Sequence, residues 1–170
     1  PLCNRGRDKA RRGGETRIMG AGVLRTYRDY LPMTEATPVL SLGEGDTPLV
    51  KSNRLGHELG CADLYFKLEG CNPTGSFKDH GMTVGVTQAR KLGSRVVACA
   101  STGNTSASMA AYCARANIRS VVFIPDGQIA YGKLSQTLDY GAITIQILGD
   151  FDVAMNLVRE LSNEKDLYLM

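Results

Sequence analysis

Nothing in this sequence restricts the fold more than a change of apolar period that recurs from residue 95 onward. Residues 95–100 form a β-branched apolar run, and 104–116 carry small residues at helical spacing. Residues 120–125 are a second apolar run and 129–140 a second helical stretch. The pair repeats over 142–148 and 151–161, the latter with Phe151, Ala154, Val158 and Leu161 near helical intervals, and 167–170 begin a fourth strand. Strands alternating with helices of this length make a parallel sheet covered on both faces. The fold class is α/β. Upstream, 63–69 alternate like a strand and 70–75 read as a loop. Ser76 and Asp79 have the spacing of a capping box opening a helix, with Phe77, Met82, Val86 and Ala89 along one face. Ligands of parallel sheets sit where strands lead into helix N-termini, which singles out the loops 70–78, 100–104 and 125–129.

Composition excludes several classes of function. With 43% hydrophobic and 22% charged residues the chain has a globular make-up. No apolar run approaches the roughly 20 residues of a membrane helix. The net charge of +3 is uneven: residues 1–28 hold Arg5, Arg7, Lys9, Arg11, Arg12, Arg17, Arg25 and Arg28 against Asp8 and Glu15. That arm lacks aromatic interleaving over 1–26 and any amphipathic period, so it reads as a solvated leader, not a nucleic-acid or membrane binder. Nor is it rich in serine, as a transit peptide is; the first serine is Ser41. Cys3, Cys61, Cys71, Cys99 and Cys113 form no Cys-x-x-Cys pair, and His57 and His80 do not stand near them at zinc spacing. Reduced thiols in a cytosolic setting fit this pattern, with Cys99 and Cys113 as small buried hydrophobes.

Each loop carries its own chemistry. In the first, Lys78 falls on the opening turn of a helix, where the positive end of the dipole disfavours an ammonium and eases its deprotonation. An unprotonated amine there can attack an aldehyde and hold it as a Schiff base; the plain alternative is a solvated surface lysine. In the second, Ala100-Ser101-Thr102-Gly103-Asn104-Thr105-Ser106-Ala107-Ser108 brings hydroxyls and free N–H groups together, with Gly103 allowing close approach. That arrangement suits a carboxylate or phosphate, and a Ser/Thr-rich helix cap is its rival. In the third, Gly127 to Lys133 matches Gly-x-x-x-x-Gly-Lys, but Leu134 stands where a nucleotide hydrolase needs Ser or Thr for magnesium.

Taken together, Pro73-Thr74-Gly75-Ser76-Phe77-Lys78-Asp79 and the Ser-Thr-Gly-Asn-Thr-Ser-Ala-Ser run that follows resemble the threonine synthase family of fold type II pyridoxal-phosphate enzymes. Tyr27-Arg28-Asp29-Tyr30-Leu31-Pro32, Leu42-Gly43-Glu44-Gly45-Asp46-Thr47-Pro48-Leu49 and Tyr131-Gly132-Lys133-Leu134-Ser135-Gln136 support it, so that it runs from about residue 23 to the end. The resemblance implies that Lys78 is catalytic, holding pyridoxal 5′-phosphate as a Schiff base and moving protons. Asn104 would bind the cofactor's 3′-oxygen, with Phe77 also at the cofactor. Ser101, Thr102 and Thr105 would hold the substrate carboxylate, Thr105 near its phosphate. The implied reaction converts O-phospho-L-homoserine and water to L-threonine and phosphate. The expected partner is a small amino-acid substrate, with no metal, nucleic acid or membrane, in a cytoplasmic enzyme compatible with a homodimer. A threonine or serine dehydratase-like lyase is the nearest alternative, and a non-catalytic α/β fragment the more distant one.

The resemblance also implies a domain plan. Residues 1–22 are expected to form a disordered basic leader, 23–82 the amino-terminal part of a large domain, and 83–161 a small α/β domain. Residues 162–170 are expected to return into the large domain, the chain being the amino-terminal portion of a longer protein. The glycine-rich loop for the cofactor phosphate, the partner of its ring nitrogen and a basic residue for the substrate phosphate are expected beyond residue 170. His80 departs from the family, which usually has arginine there.

Overall fold

A computed structural model describes residues 21–127, 131–164 and 167–170. The basic leader expected over 1–22 falls almost wholly outside them. A short helix α1 (Val23–Thr26) is followed by a 3-10 turn (Arg28–Tyr30), strand β1 (Leu49–Lys51), helix α2 (Asn53–Glu58) and strand β2 (Tyr65–Lys67). A second 3-10 turn (Glu69–Cys71) leads to α3 (Lys78–Lys91). Then the expected alternation begins: β3 (Val96–Ala100), α4 (Asn104–Ala116), β4 (Arg119–Pro125), α5 (Tyr131–Asp139), β5 (Ile143–Ile147), α6 (Phe151–Glu164) and β6 (Leu167–Leu169).

The four later strands form one parallel sheet in the order β5-β4-β3-β6. Side-chain alternation along the two central strands builds two cores. Val97 and Cys99 of β3 and Val122 and Ile124 of β4 face a layer that takes in Met82, Val86 and Ala89 of α3 with Met109, Tyr112 and Cys113 of α4. Ala98, Ala100 and Phe123 face the opposite side, where Ala154 and Val158 of α6 close the second core. Both faces are thus covered, as the period predicts.

Helix α4 is the centre of the larger core. Its run from Ser106 to Cys113 is buried, because it packs between α3, α5 and the sheet. Alanine and serine suit that place, since a larger side chain would push those neighbours apart. The helix ends on Asn117, which takes the left-handed conformation (φ 56), while the Ile118 N–H closes on Cys113 O at 2.9 Å.

Two local expectations are corrected. The strand over 63–69 does not join the parallel sheet; its β2 pairs antiparallel with β1 in a separate exposed ribbon. Ser76 and Asp79 do not form a capping box. Phe77 occupies the cap position with no side-chain cap bond, and the Asp79 carboxylate turns inward, as described below. Within 162–170, α6 runs on to Glu164, and β6 hydrogen-bonds to the free edge of β3. Met170 then lies against α3 at Gly85, where a Cβ would come within 2.6 Å of its sulfur. The boundary expected at 82/83 falls inside α3, whose Met82 and Val86 share one core with Leu40.

The segment before β1 is anchored by one buried carboxylate. Glu44 is 1% exposed and accepts from the N–H groups of Val23 (2.9 Å) and Leu42 (3.0 Å) and from the hydroxyls of Ser41 (2.9 Å) and Tyr112 (2.8 Å). Burial alone would raise the Glu44 carboxyl, but the bonds from its own backbone, Tyr112, Val23 and Leu42 outweigh it and hold the group below its ordinary 4.5. Burial first, then the bond to Glu44, pushes the Tyr112 phenol up.

Because the Glu44 pKa is lower in the folded chain, its stabilisation is present above pH 4.5 and is lost as pH falls through the folded value. Glu44→Gln is therefore expected to flatten the acid limb of a stability–pH profile and to cost about 2 kcal/mol at neutral pH. Urea unfolding between pH 3 and 7 measures both; an acid limb as steep as that of the unaltered protein would contradict the assignment.

Candidate active site

Lys78 is the first residue of α3, and its loop is built by hydrogen bonds that leave little freedom. Asn72 is the hub of its upstream half. Its Oδ1 accepts from Gly45 N–H at 2.9 Å, and its Nδ2 donates to the backbone and side chain of Glu69 at 2.8 and 2.9 Å. His80 Nε2 lies 3.2 Å from Asn72 Oδ1, an acceptor, so this nitrogen carries the proton. The same nitrogen lies 3.5 Å from Glu69 Oε2. His80 thus joins Asn72 and Glu69 on the upstream side of the lysine loop. Burial would raise the Glu69 carboxyl, but hydrogen bonds from Asn72 and Thr47 and the charges of His80 and Lys67 bring it below the ordinary value.

The downstream half depends on Asp79, fully buried in the second position of α3. Its carboxylate accepts from Thr74 N–H (2.8 Å) and Thr74 Oγ1 (2.5 Å) in the lysine loop, and from Ser108 Oγ (2.5 Å) on α4. Ser108 lies one turn beyond Asn104, so a single carboxylate ties together the opening turns of the two helices that carry Lys78 and Asn104. Ser76 Oγ accepts from the Lys78 N–H at 3.1 Å. The Lys78 side chain itself is half-buried, its Nζ 5.0 Å from the centroid of the Phe77 ring. Among the described residues, Lys78 Nζ has no hydrogen-bond or ion-pair partner. Phe77 is 56% exposed, well placed to meet a ligand above the lysine.

The second loop leaves β3 at Ser101, whose N–H still pairs with Phe123 O at 3.2 Å. Gly103 precedes α4 without a side-chain cap bond, and the first intrahelical bond runs from Ala107 N–H to Gly103 O. The N–H groups of Asn104, Thr105 and Ser106 are therefore free of helical partners. Asn104 is exposed, while Ser101, Thr102 and Thr105 are half-buried. A Cβ on Gly103 would point into open space, and that room before an uncapped 13-residue helix suits an anionic group. Two further hydroxyls of this run are engaged: Ser106 donates to Gly103 O at 2.8 Å and Ser108 to Asp79.

Of the third loop, residues 128–130 lie outside the described residues, and Lys133 donates to Thr74 O of the lysine loop. Helix α5 also helps to line a depression shared with the second loop. Ser101, Thr102, Ser106 and Thr137 supply its hydroxyls over a floor of Val122, Ile124 and Leu134. Cys99 and Cys113 are buried, and burial pushes each thiol up to about 12, which leaves them unreactive.

Asp79 and its two partners were not legible as a site, because an acid three residues after a serine reads as a cap. Asp79→Ala would leave two hydroxyls and one N–H unpaired in the core, with an expected cost of roughly 3 kcal/mol, against about 1 kcal/mol for Ser108→Ala. The double variant should cost less than the sum, since both remove the same bond. Additive losses in urea unfolding would show that the two side chains do not interact.

Residues 40–170 match the family model described as pyridoxal-phosphate dependent enzyme. The threonine synthase of Methanocaldococcus jannaschii is 55% identical over 144 residues, which span 85% of this chain and 36% of that protein. The threonine synthase of Halalkalibacterium halodurans is 52% identical over 149 residues, 88% of this chain and 42% of its own length. This chain therefore spans less than half the length of these relatives. Among solved structures, the processed form of threonine deaminase isoform 2 from Solanum lycopersicum superposes with a TM-score of 0.64 at 25% identity, covering 73% of this chain and 34% of that one. With a family match over most of its length, a lysine on the first turn of α3 and an open anion-receptive turn at the start of α4, this chain belongs to the pyridoxal-phosphate dependent enzymes.

Proposed function

We propose that this chain is the amino-terminal portion of a threonine synthase, acting on O-phospho-L-homoserine and water to give L-threonine and phosphate. One observation carries the reading: a half-buried lysine without a polar partner among the described residues stands on a helix start that Asp79 ties to a second, uncapped helix start. The likeness to two threonine synthases at 55% and 52% identity supports this choice of substrate. Threonine biosynthesis, a cytoplasmic location and a homodimer belong to the same reading. So does a division into a large unit, begun by 23–82, and a smaller unit from 83 that includes β6.

The residues present fit the cofactor. Lys78 and Asn104 would hold it, with Phe77 beside it, and the open space at Gly103 leaves room for a ligand against the backbone. When bound, pyridoxal phosphate supplies an electron sink for bond cleavage next to the amino-bearing carbon. The protein's share is to place groups and move protons. Ser101, Thr102 and Thr105, with the free N–H groups of α4, would receive the substrate carboxylate and orient the bond that breaks. Lys78 Nζ, once free, would take a proton from the amino-bearing carbon and then one from its neighbour; protons would return at the carbon that loses phosphate and, after water adds to the carbon between, at the amino-bearing carbon.

A dehydratase-like lyase is the second reading, favoured by the structural likeness to threonine deaminase. Incubation with pyridoxal phosphate, borohydride reduction and mass-spectrometric mapping should place the adduct on Lys78. Labelling at another lysine, or scattered labelling like that of an unfolded control, would sink the proposal. In the protein at its natural full length, Lys78→Ala is expected to lower turnover by roughly a thousandfold or more. Phosphate released from O-phosphohomoserine, against ammonia released from threonine, separates synthase from dehydratase.

A further inference from the structure

The lysine that closes the Gly-x-x-x-x-Gly-Lys run is engaged by the lysine loop. Lys133 Nζ donates to Thr74 O at 3.0 Å and to Gln136 Oε1 at 3.1 Å, and Gln136 Nε2 lies 3.4 Å from the same carbonyl. Residues 133 and 136 stand one turn apart on the same face of α5, which lets both donors converge. A bond from an ammonium to a carbonyl is charge-assisted and stronger than one between neutral groups. The N–H and hydroxyl of Thr74 already go to Asp79. Every polar group of this one residue is thus taken, from α3 on one side and from α5 on the other. Gly75 follows with φ +77, a conformation that a side chain disfavours, and a Cβ there would stand 3.8 Å from Lys133 Nζ. Three residues later comes Lys78.

We propose that Lys133 and Gln136 are positioning residues, which hold the Thr74 carbonyl and thereby fix the loop that presents Lys78. They touch neither Lys78 nor the open turn of α4 and act through the backbone of the loop. The same helix turns Leu134 and Thr137 toward the depression lined by Ser101 and Thr102. The contacts of α5 with Thr74 and with the end of β3 therefore tie the lysine loop to the loop that opens α4. The role in presenting Lys78 rests on the proposed cofactor chemistry; the hold on the loop does not.

Two readouts in the full-length protein test it. Without cofactor, Lys133→Met should speed amide hydrogen exchange about tenfold in peptides covering 70–80 and leave the sheet peptides 95–125 unchanged. With pyridoxal phosphate and borohydride, labelling of Lys78 in the same variant should slow about fivefold, and Lys133→Arg, which keeps a charged donor, should restore most of both effects. Gln136→Leu should raise exchange in 70–80 by two- to threefold, and it decides the matter if Lys133→Met does not fold. Unchanged exchange in 70–80, or an equal rise throughout the sheet, would overturn the proposal. If the unaltered protein takes no label at Lys78 the cofactor reading fails, while the exchange measurement still decides the hold on the loop.

Discussion

A carboxylate buried away from water is costly unless donors surround it, and Asp79 has three. Their origins matter more than their number. Two belong to the lysine loop and one to α4, so the charge is satisfied only when loop and helix are both in place. Asp79 also sits in the first turn of α3, where the helix dipole favours a negative group. The lysine just before it occupies a position where that dipole favours an anion. The strained neighbour is thus carried by the satisfied one.

Glu44 repeats the design at the other end of α4. There the donors are Tyr112 from the helix and three residues of the incoming chain, Val23, Ser41 and Leu42. Between them the two carboxylates fix α4 against everything that precedes it, and Thr83 adds a bond to Leu40 O. A helix of alanine and serine can fill the space between sheet and neighbouring helices, but small apolar surfaces alone set no register along its axis. Directional bonds to buried charges do so. In this way the uncapped start of α4 is held at the end of β3, open to a ligand.

Legibility in the sequence followed the range of the interactions concerned. The bounds of α4 were readable to the residue, because its start, its small-residue run and its Asn117 stop are local. The lysine loop and the open turn were readable as chemistry because glycine, hydroxyls and lysine cluster within a few positions. Asp79 was misread as a cap, since the spacing of a local bond says nothing of Ser108 twenty-nine residues away. Lys133 looked like a phosphate ligand that lacked its magnesium partner, and its true acceptor, Thr74 O, lies 59 residues back. The β1 partner of β2 was missed because three exposed residues carry no period.

What the sequence determined by itself is the α/β class, the succession of elements from β3 to β6 and the chemical character of the two loops. These depend on hydrophobic period and residue type, which act over one or two turns of chain. The tertiary structure decided which groups meet: that β6 closes the edge of β3, that Asp79 joins α3 to α4, and that Lys133 reaches across to Thr74. Hydrogen bonds between distant segments form only after helices have packed, and packing depends on the shapes of whole surfaces. A lysine on a helix start is common to many chains; one whose loop is held from two sides is a product of the fold.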